Sequence, residues 1–220
     1  MSFSAQLRQE TDSIWQAIFA HPMVTGIGDG TLPEPKFRYW LVQDYLYLID
    51  FSRIFALGAA KAPDLETMTW FSTLLHSTLS VEMGGHRSYA ARFGVDPREM
   101  EQAEMAPWCR AYTREMLAAA EGGLGDLVAT LLPCMAGYAE TGRTLARRGM
   151  PDHPIYREWI EMYGSDEFGA LADYCASLLD RLAEGAKQAD LERWREIYKT
   201  SARYEYLFWQ MAWEEQTWPV

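Results

Sequence analysis

Three residues of this 220-residue chain place a reactive side chain in the middle of an apolar helical stripe: Cys134, Asp44 and Glu205. Cys134 lies between Leu127 and Leu145, where Leu127, Leu131, Cys134, Tyr138 and Leu145 recur at near-helical spacing and share one buried face. A thiol on that face is either a nucleophile or a small core residue, the usual fate of a free cysteine. Pro133 cannot donate to the i−4 carbonyl and predicts a kink, while Gly137 leaves room for a neighbouring backbone or a ligand. Asp44 belongs to the seam Phe37, Leu41, Asp44, Leu48, Phe51, Phe55, with Tyr47 flanking it three residues on. Glu205 occupies the centre of the stripe Leu191, Trp194, Tyr198, Ala202, Glu205, Phe208, Ala212. An ionised carboxylate facing a core is costly unless it is paired or hydrogen-bonded. Each is therefore a satisfied structural group or part of a site. With Tyr47, Tyr112, Tyr138, Tyr163 and Phe208, the three look like an aromatic-lined pocket inside a helical bundle. Carboxylates beside a buried thiol raise its pKa unless hydroxyl donors support the thiolate, or a cationic substrate supplies positive charge.

Helices must position these groups, and the pattern predicts little else. The apolar residues Phe3, Leu7, Ile14 and Ile18 predict a helix from Phe3 to about Ala20, ended by His21-Pro22. The glycine-rich stretch from Thr25 to Pro33 reads as a loop and lacks the Gly-Lys-Ser/Thr ending of a phosphate-binding loop. A long helix follows from Phe37 to about Ala60. Asp64 caps the next, which runs through Trp70, Leu74 and His76 toward Tyr89. Asp96-Pro97-Arg98-Glu99 starts another, and Pro107 to about Glu121 carries Trp108, Tyr112 and Met116 on one face before Gly122-Gly123. Beyond the Cys134 helix come a short helix ending near Tyr163-Gly164, one capped by Ser165 that runs to about Lys187, and a last from about Asp190 to Trp213. No stretch alternates as a strand. The chain is all-α.

Its length suits a single domain spanning residues 1–220, and no apolar run approaches the roughly 20 residues that cross a bilayer. The N-terminus lacks a signal-peptide core, and three widely spaced cysteines (Cys109, Cys134, Cys175) argue against a disulfide framework, so the cytoplasm is the expected location. A net charge of −11 argues against a phosphate-neutralising face and with it against a nucleic-acid partner.

In order and spacing, several segments together resemble the TenA/thiaminase II family across essentially the full length. They are His21-Pro22 with Gly30-Thr31-Leu32 and Phe37, Gln43-Asp44-Tyr45-Leu46-Tyr47, Glu82 to His86-Arg87, Pro133-Cys134 with Tyr138, Tyr163-Gly164-Ser165 into Phe168, and Glu205 into Phe208-Trp209. The resemblance implies a haem-oxygenase-like multi-helix bundle, usually a homotetramer, and cofactor-free, metal-free hydrolysis of thiamin-derived aminopyrimidines. It also implies membership of the branch that keeps a nucleophilic cysteine, here Cys134, and a preference for releasing ammonia from the aminomethylpyrimidine over cleaving thiamin. By the same resemblance Glu205 exchanges a proton with a ring nitrogen, supported by Tyr47 and Tyr163. Asp44 binds the exocyclic amino group and the adjacent ring nitrogen, Tyr112 supports the thiol, and Tyr138 and Phe208 line or stack on the ring.

Glu82 and His86, spaced i, i+4, form either half a metal site or a carboxylate holding an imidazole. Gly84-Gly85 between them weakens the helix, which places the pair outside the expected core of the site. Two other readings stay open on the same fold: a di-metal oxidase using Glu82, His86 and other carboxylates, and an aminopyrimidine-binding bundle in which Cys134 merely packs.

Overall fold

Thr11 divides what the apolar spacing predicts as one N-terminal helix. In the computed structural model, which describes residues 1–220, α1 (Phe3–Glu10) ends there and α2 (Asp12–Phe19) begins. The Thr11 hydroxyl donates to the Leu7 carbonyl at 2.8 Å and accepts from the indole of Trp15 at 3.1 Å, so the break satisfies its own polar groups.

The expected loop from Thr25 to Pro33 is largely helix. The chain forms α3 (Pro22–Asp29), with Pro22 in the first turn and the His21 ring accepting from the Met23 N–H at 3.2 Å. Its glycines serve contact rather than turning. A Cβ at Gly28 would lie 2.7 Å from a Leu145 methyl group, and only Gly30, at φ 80°, takes the left-handed conformation that closes the helix.

The remaining helices follow the reading closely: α4 (Glu34–Lys61), α5 (Leu65–Ser77), α6 (Met83–Arg92), α7 (Pro97–Gln102), α8 (Pro107–Glu121), α9 (Leu124–Arg148), α10 (Pro154–Tyr163), α11 (Asp166–Ala183) and α12 (Gln188–Glu214). Asp64, Asp96 and Ser165 accept from backbone N–H groups at 2.7, 2.8 and 3.1 Å, as cap residues should. Between α5 and α6 the hydrogen-bond register widens to a π-helical turn, Thr78–Glu82. The extra residue shifts everything beyond it around the axis, which α-helical periodicity alone cannot anticipate.

α9 is the axis of the bundle and packs against α8, α10, α11 and α12, while α4 leans on α5, α8 and α12. It runs as helix through Pro133. One turn on, Gly137 accommodates a side chain rather than a backbone or a ligand, since its Cβ would meet the Trp15 ring at 2.5 Å. Behind the site, Trp40 stacks parallel to Trp209 at 6.1 Å, and Trp159 meets both edge-on. These rings belong to one continuous buried cluster.

Gly137→Val should therefore drive a branched side chain into the fully buried Trp15 ring. The expected loss is about 1–3 kcal/mol, read as a lower denaturant midpoint at unchanged slope.

Candidate active site

Burial brings the candidate residues from α4, α8, α9, α10 and α12 to one place. Asp44, Tyr47, Tyr112, Cys134, Tyr138, Glu205 and Phe208 line a narrow inner recess of about 10 Å³, room for little more than one water. It adjoins a larger chamber of about 310 Å³, whose walls include Tyr163. Asp44, Tyr47, Cys134 and Tyr138 line both. A planar ring therefore has space on the outer side of those four residues, with Cys134 and Glu205 at its inner edge. The other thiols, Cys109 and Cys175, are fully buried away from both spaces.

The inner wall is a chain of hydroxyl groups. Tyr112, expected to support the thiol, donates to Glu205 Oε1 at 2.5 Å, whereas Tyr163, expected to support Glu205, donates to Glu82. Ser201, 3.4 Å from the Tyr112 oxygen, donates at 2.7 Å to the Thr130 carbonyl on α9. The Tyr47 ring lies edge-on to Phe208 at 5.6 Å, with its hydroxyl 3.2 Å from Met116 Sδ. Tyr138 packs between Tyr163, at 4.9 Å, and Trp209, at 5.5 Å.

Electrostatics follow from the loss of water. Burial and the neighbouring Glu205 charge push the Cys134 thiol well above its ordinary pKa, against the opposing pull of the Tyr47 hydroxyl. Glu205 is pushed up to about 7, chiefly by burial and further by Asp44, although hydrogen bonds from Tyr112 and Cys134 oppose the rise. Burial likewise raises Tyr47, Tyr112, Tyr138 and Tyr163 well above the ordinary phenol value, so all four remain hydrogen-bond donors at neutral pH.

Glu82 and His86 belong to this site, contrary to the expectation from Gly84-Gly85. Both line the outer chamber. The glycines sit within α6, directly after the π-helical turn, and the widened register turns Glu82 and His86 inward. His86 Nε2 lies 2.6 Å from Asp44 Oδ2, and its Nδ1 lies 3.0 Å from the Glu82 carbonyl oxygen. The carboxylate that holds this imidazole is thus Asp44 on α4, a partner 42 residues away that no local spacing reveals. The Glu82 carboxylate instead accepts from Tyr163 at 3.2 Å and from Thr78 at 3.4 Å. Burial raises its pKa, with Asp44 adding and His86 opposing. No three His, Cys, Asp or Glu side chains are grouped as ligands for a metal ion, the set that the di-metal reading requires.

A helical bundle with a thiol, carboxylates and tyrosines converging on an aromatic chamber defines a class of small-molecule site. The comparisons place the chain within that class. Residues 8–215 match the TENA/THI-4/PQQC family, and the chain belongs to it. It is 48% identical over 222 residues to the aminopyrimidine aminohydrolase of Halalkalibacterium halodurans, covering 99% of this chain and 98% of that relative. A solved TenA homologue from P. horikoshii OT3 superposes with a TM-score of 0.89 at 29% identity, over 97% of this chain and 99% of its own. A domain with a heme oxygenase-like fold from Shewanella denitrificans superposes at 0.74 over 96% and 92%; at 15% identity it bears on the fold alone, which is haem-oxygenase-like.

The raised Glu205 has a consequence for stability. A carboxyl group whose folded pKa is about 7 binds its proton more tightly when folded. That contribution is complete below the unfolded value near 4.5 and is lost as pH rises through about 7. Glu205→Gln should therefore gain on the wild type by about 1–3 kcal/mol between pH 5 and pH 8, measured by denaturant unfolding across that range.

Proposed function

We propose that this protein hydrolyses thiamin-derived aminopyrimidines in thiamin salvage, converting 4-amino-5-aminomethyl-2-methylpyrimidine to the 5-hydroxymethyl form and ammonia. The convergence of Cys134, Glu205 and Asp44 on one aromatic cavity carries this reading. The name and full-length similarity of the Halalkalibacterium relative support the substrate class.

The chemistry accommodates a thiol that burial keeps protonated. As the Cys134 sulfur bonds to the unsubstituted ring carbon, its proton leaves, and a ring nitrogen gains one. Glu205, poised near neutrality beside the thiol, carries that transfer, so no free thiolate needs to persist in the cavity. The electron pair returned by the ring nitrogen breaks the methylene C–N bond of the protonated aminomethyl group, which leaves as ammonia, and an exocyclic methylene remains. Water adds to that carbon and releases a proton, which replaces the one ammonia carried away, while the C–S bond breaks and the ring-nitrogen proton returns through Glu205 to the sulfur. Asp44 accepts from the exocyclic amino group and fixes the ring, Tyr47 and Tyr112 support sulfur and carboxylate, and Tyr138, Tyr163 and Phe208 confine the ring's faces and edge. We assign no cofactor or metal a role, and we take residues 1–220 to act as one domain.

The same reading carries a homotetramer in the cytoplasm. Leu65, Leu79 and Val81, exposed apolar side chains around the start of α5 and the π-helical turn, offer surface for assembly. Light scattering on the eluting protein should return four chain masses; one chain mass would remove this part of the proposal.

Ammonia release from the aminomethylpyrimidine by metal-stripped protein, with thiamin in a parallel assay, tests the activity. Cys134→Ala should lower kcat by at least about 10³-fold without changing the fold. Asp44→Asn should cost about 10–100-fold in kcat/KM, the worth of one hydrogen bond to a charged group. An unimpaired Cys134→Ala enzyme would show that another group attacks the ring.

A further inference from the structure

The chamber wall holds a basic group that the proposed chemistry does not use. His86 is 2% exposed and fixed on three sides. Its Nδ1 is 3.0 Å from the Glu82 carbonyl oxygen, which can only accept, so Nδ1 carries a proton. Its Nε2 is 2.6 Å from Asp44 Oδ2, the short separation of a charge-assisted hydrogen bond. The ring rests against Trp40 at 5.9 Å. The carboxylates Asp44, Glu82 and Glu205, with Glu167 at the outer side of the chamber, line the two spaces together with no Lys or Arg, and His86 is the one basic side chain among them. Asp44 Oδ1 has no partner within the protein and is left for the cavity that Asp44 lines.

We propose that His86 is a positioning residue for the hydrolysis: a buried imidazolium, pinned by the Glu82 carbonyl, that holds Oδ2 of an ionised Asp44 and leaves Oδ1 to accept from the amino group of the pyrimidine. The inference rests on Asp44 being the substrate-binding carboxylate. Its chemical content is the side on which the shared proton lies. With the proton on nitrogen, Asp44 is purely an acceptor and selects a ring bearing an exocyclic N–H donor. With the proton on Oδ2, Oδ1 is the carbonyl oxygen of a neutral carboxyl group and a weaker acceptor, so the preference for a ring bearing an exocyclic N–H donor is smaller. Burial opposes the imidazolium, but the Asp44 hydrogen bond and charge, aided by Glu82, outweigh it and raise the His86 pKa.

The first test is nitrogen-15 imidazole NMR of the full-length protein at pH 7, with the His86 signals identified by their disappearance in His86→Gln. Two protonated ring nitrogens are expected in the wild type, reverting to one in Asp44→Asn. A wild-type His86 with a single protonated nitrogen overturns the proposal whether or not the enzyme turns over. The second test is kinetic. His86→Leu should lower kcat/KM by about 10–100-fold, chiefly through KM, the range typical of residues that orient a functional ligand. His86→Gln, which keeps a neutral donor, should recover part of that loss, and the 4-amino over 4-oxo preference in competitive inhibition should fall in both variants. Equal losses in Leu and Gln with KM and that preference unchanged would reduce His86 to packing. A wild type that releases no ammonia would instead defeat the hydrolase reading, and the spectrum would still decide the state of His86.

Discussion

Asp44 and Glu205 are buried and Glu82 is half-buried inside a helical bundle that supplies one basic side chain, His86, to receive them. Isolated buried carboxylates are prohibitive, so each must find a donor or hold a proton. Asp44 takes the imidazole, Glu82 takes Tyr163 and Thr78, and Glu205 takes Tyr112 and is pushed up to about 7. The tyrosines are needed for the same reason. Their phenols stay protonated in this environment and supply hydrogen bonds without adding charge.

That constraint also shapes the reactivity. The environment that raises Glu205 into the neutral range suppresses the Cys134 thiolate. A mechanism that first ionised the thiol and then attacked would have to overcome the full desolvation cost of a buried anion. The proposed coupling of attack to proton transfer through Glu205 avoids it. The carboxyl group is suited to that task because its affinity for the proton is close to ambient pH.

Precision of this kind depends on rigid support. α9 threads the bundle with close contacts on several sides: Gly137 against Trp15, Gly28 of α3 against Leu145, and the Thr130 carbonyl held by Ser201 of α12. The Trp40, Trp159 and Trp209 rings brace α4, α10 and α12 against one another directly behind Tyr138 and His86. The site is thus assembled mostly from helix faces, with the widened turn at Thr78–Glu82 and the Ser165 cap between α10 and α11 as irregular elements.

Helical periodicity by itself determined that the chain is all-α, where most of its helices lie, and that Cys134, Asp44 and Glu205 face inward. Those properties are local, because a face is set by residues three and four apart. It did not reveal the break at Thr11, since the apolar spacing continues across it. It misread Thr25 to Pro33, since glycine selected for close packing looks the same in sequence as glycine selected for a turn. The roles assigned to the individual aromatics came from the family resemblance, which spacing cannot replace. The Glu82–His86 pair was visible as an i, i+4 spacing, but its partner was not. Only the tertiary structure decided that Asp44 holds His86, because hydrogen bonds between α4 and α6 depend on how those helices pack and on the register shift between α5 and α6.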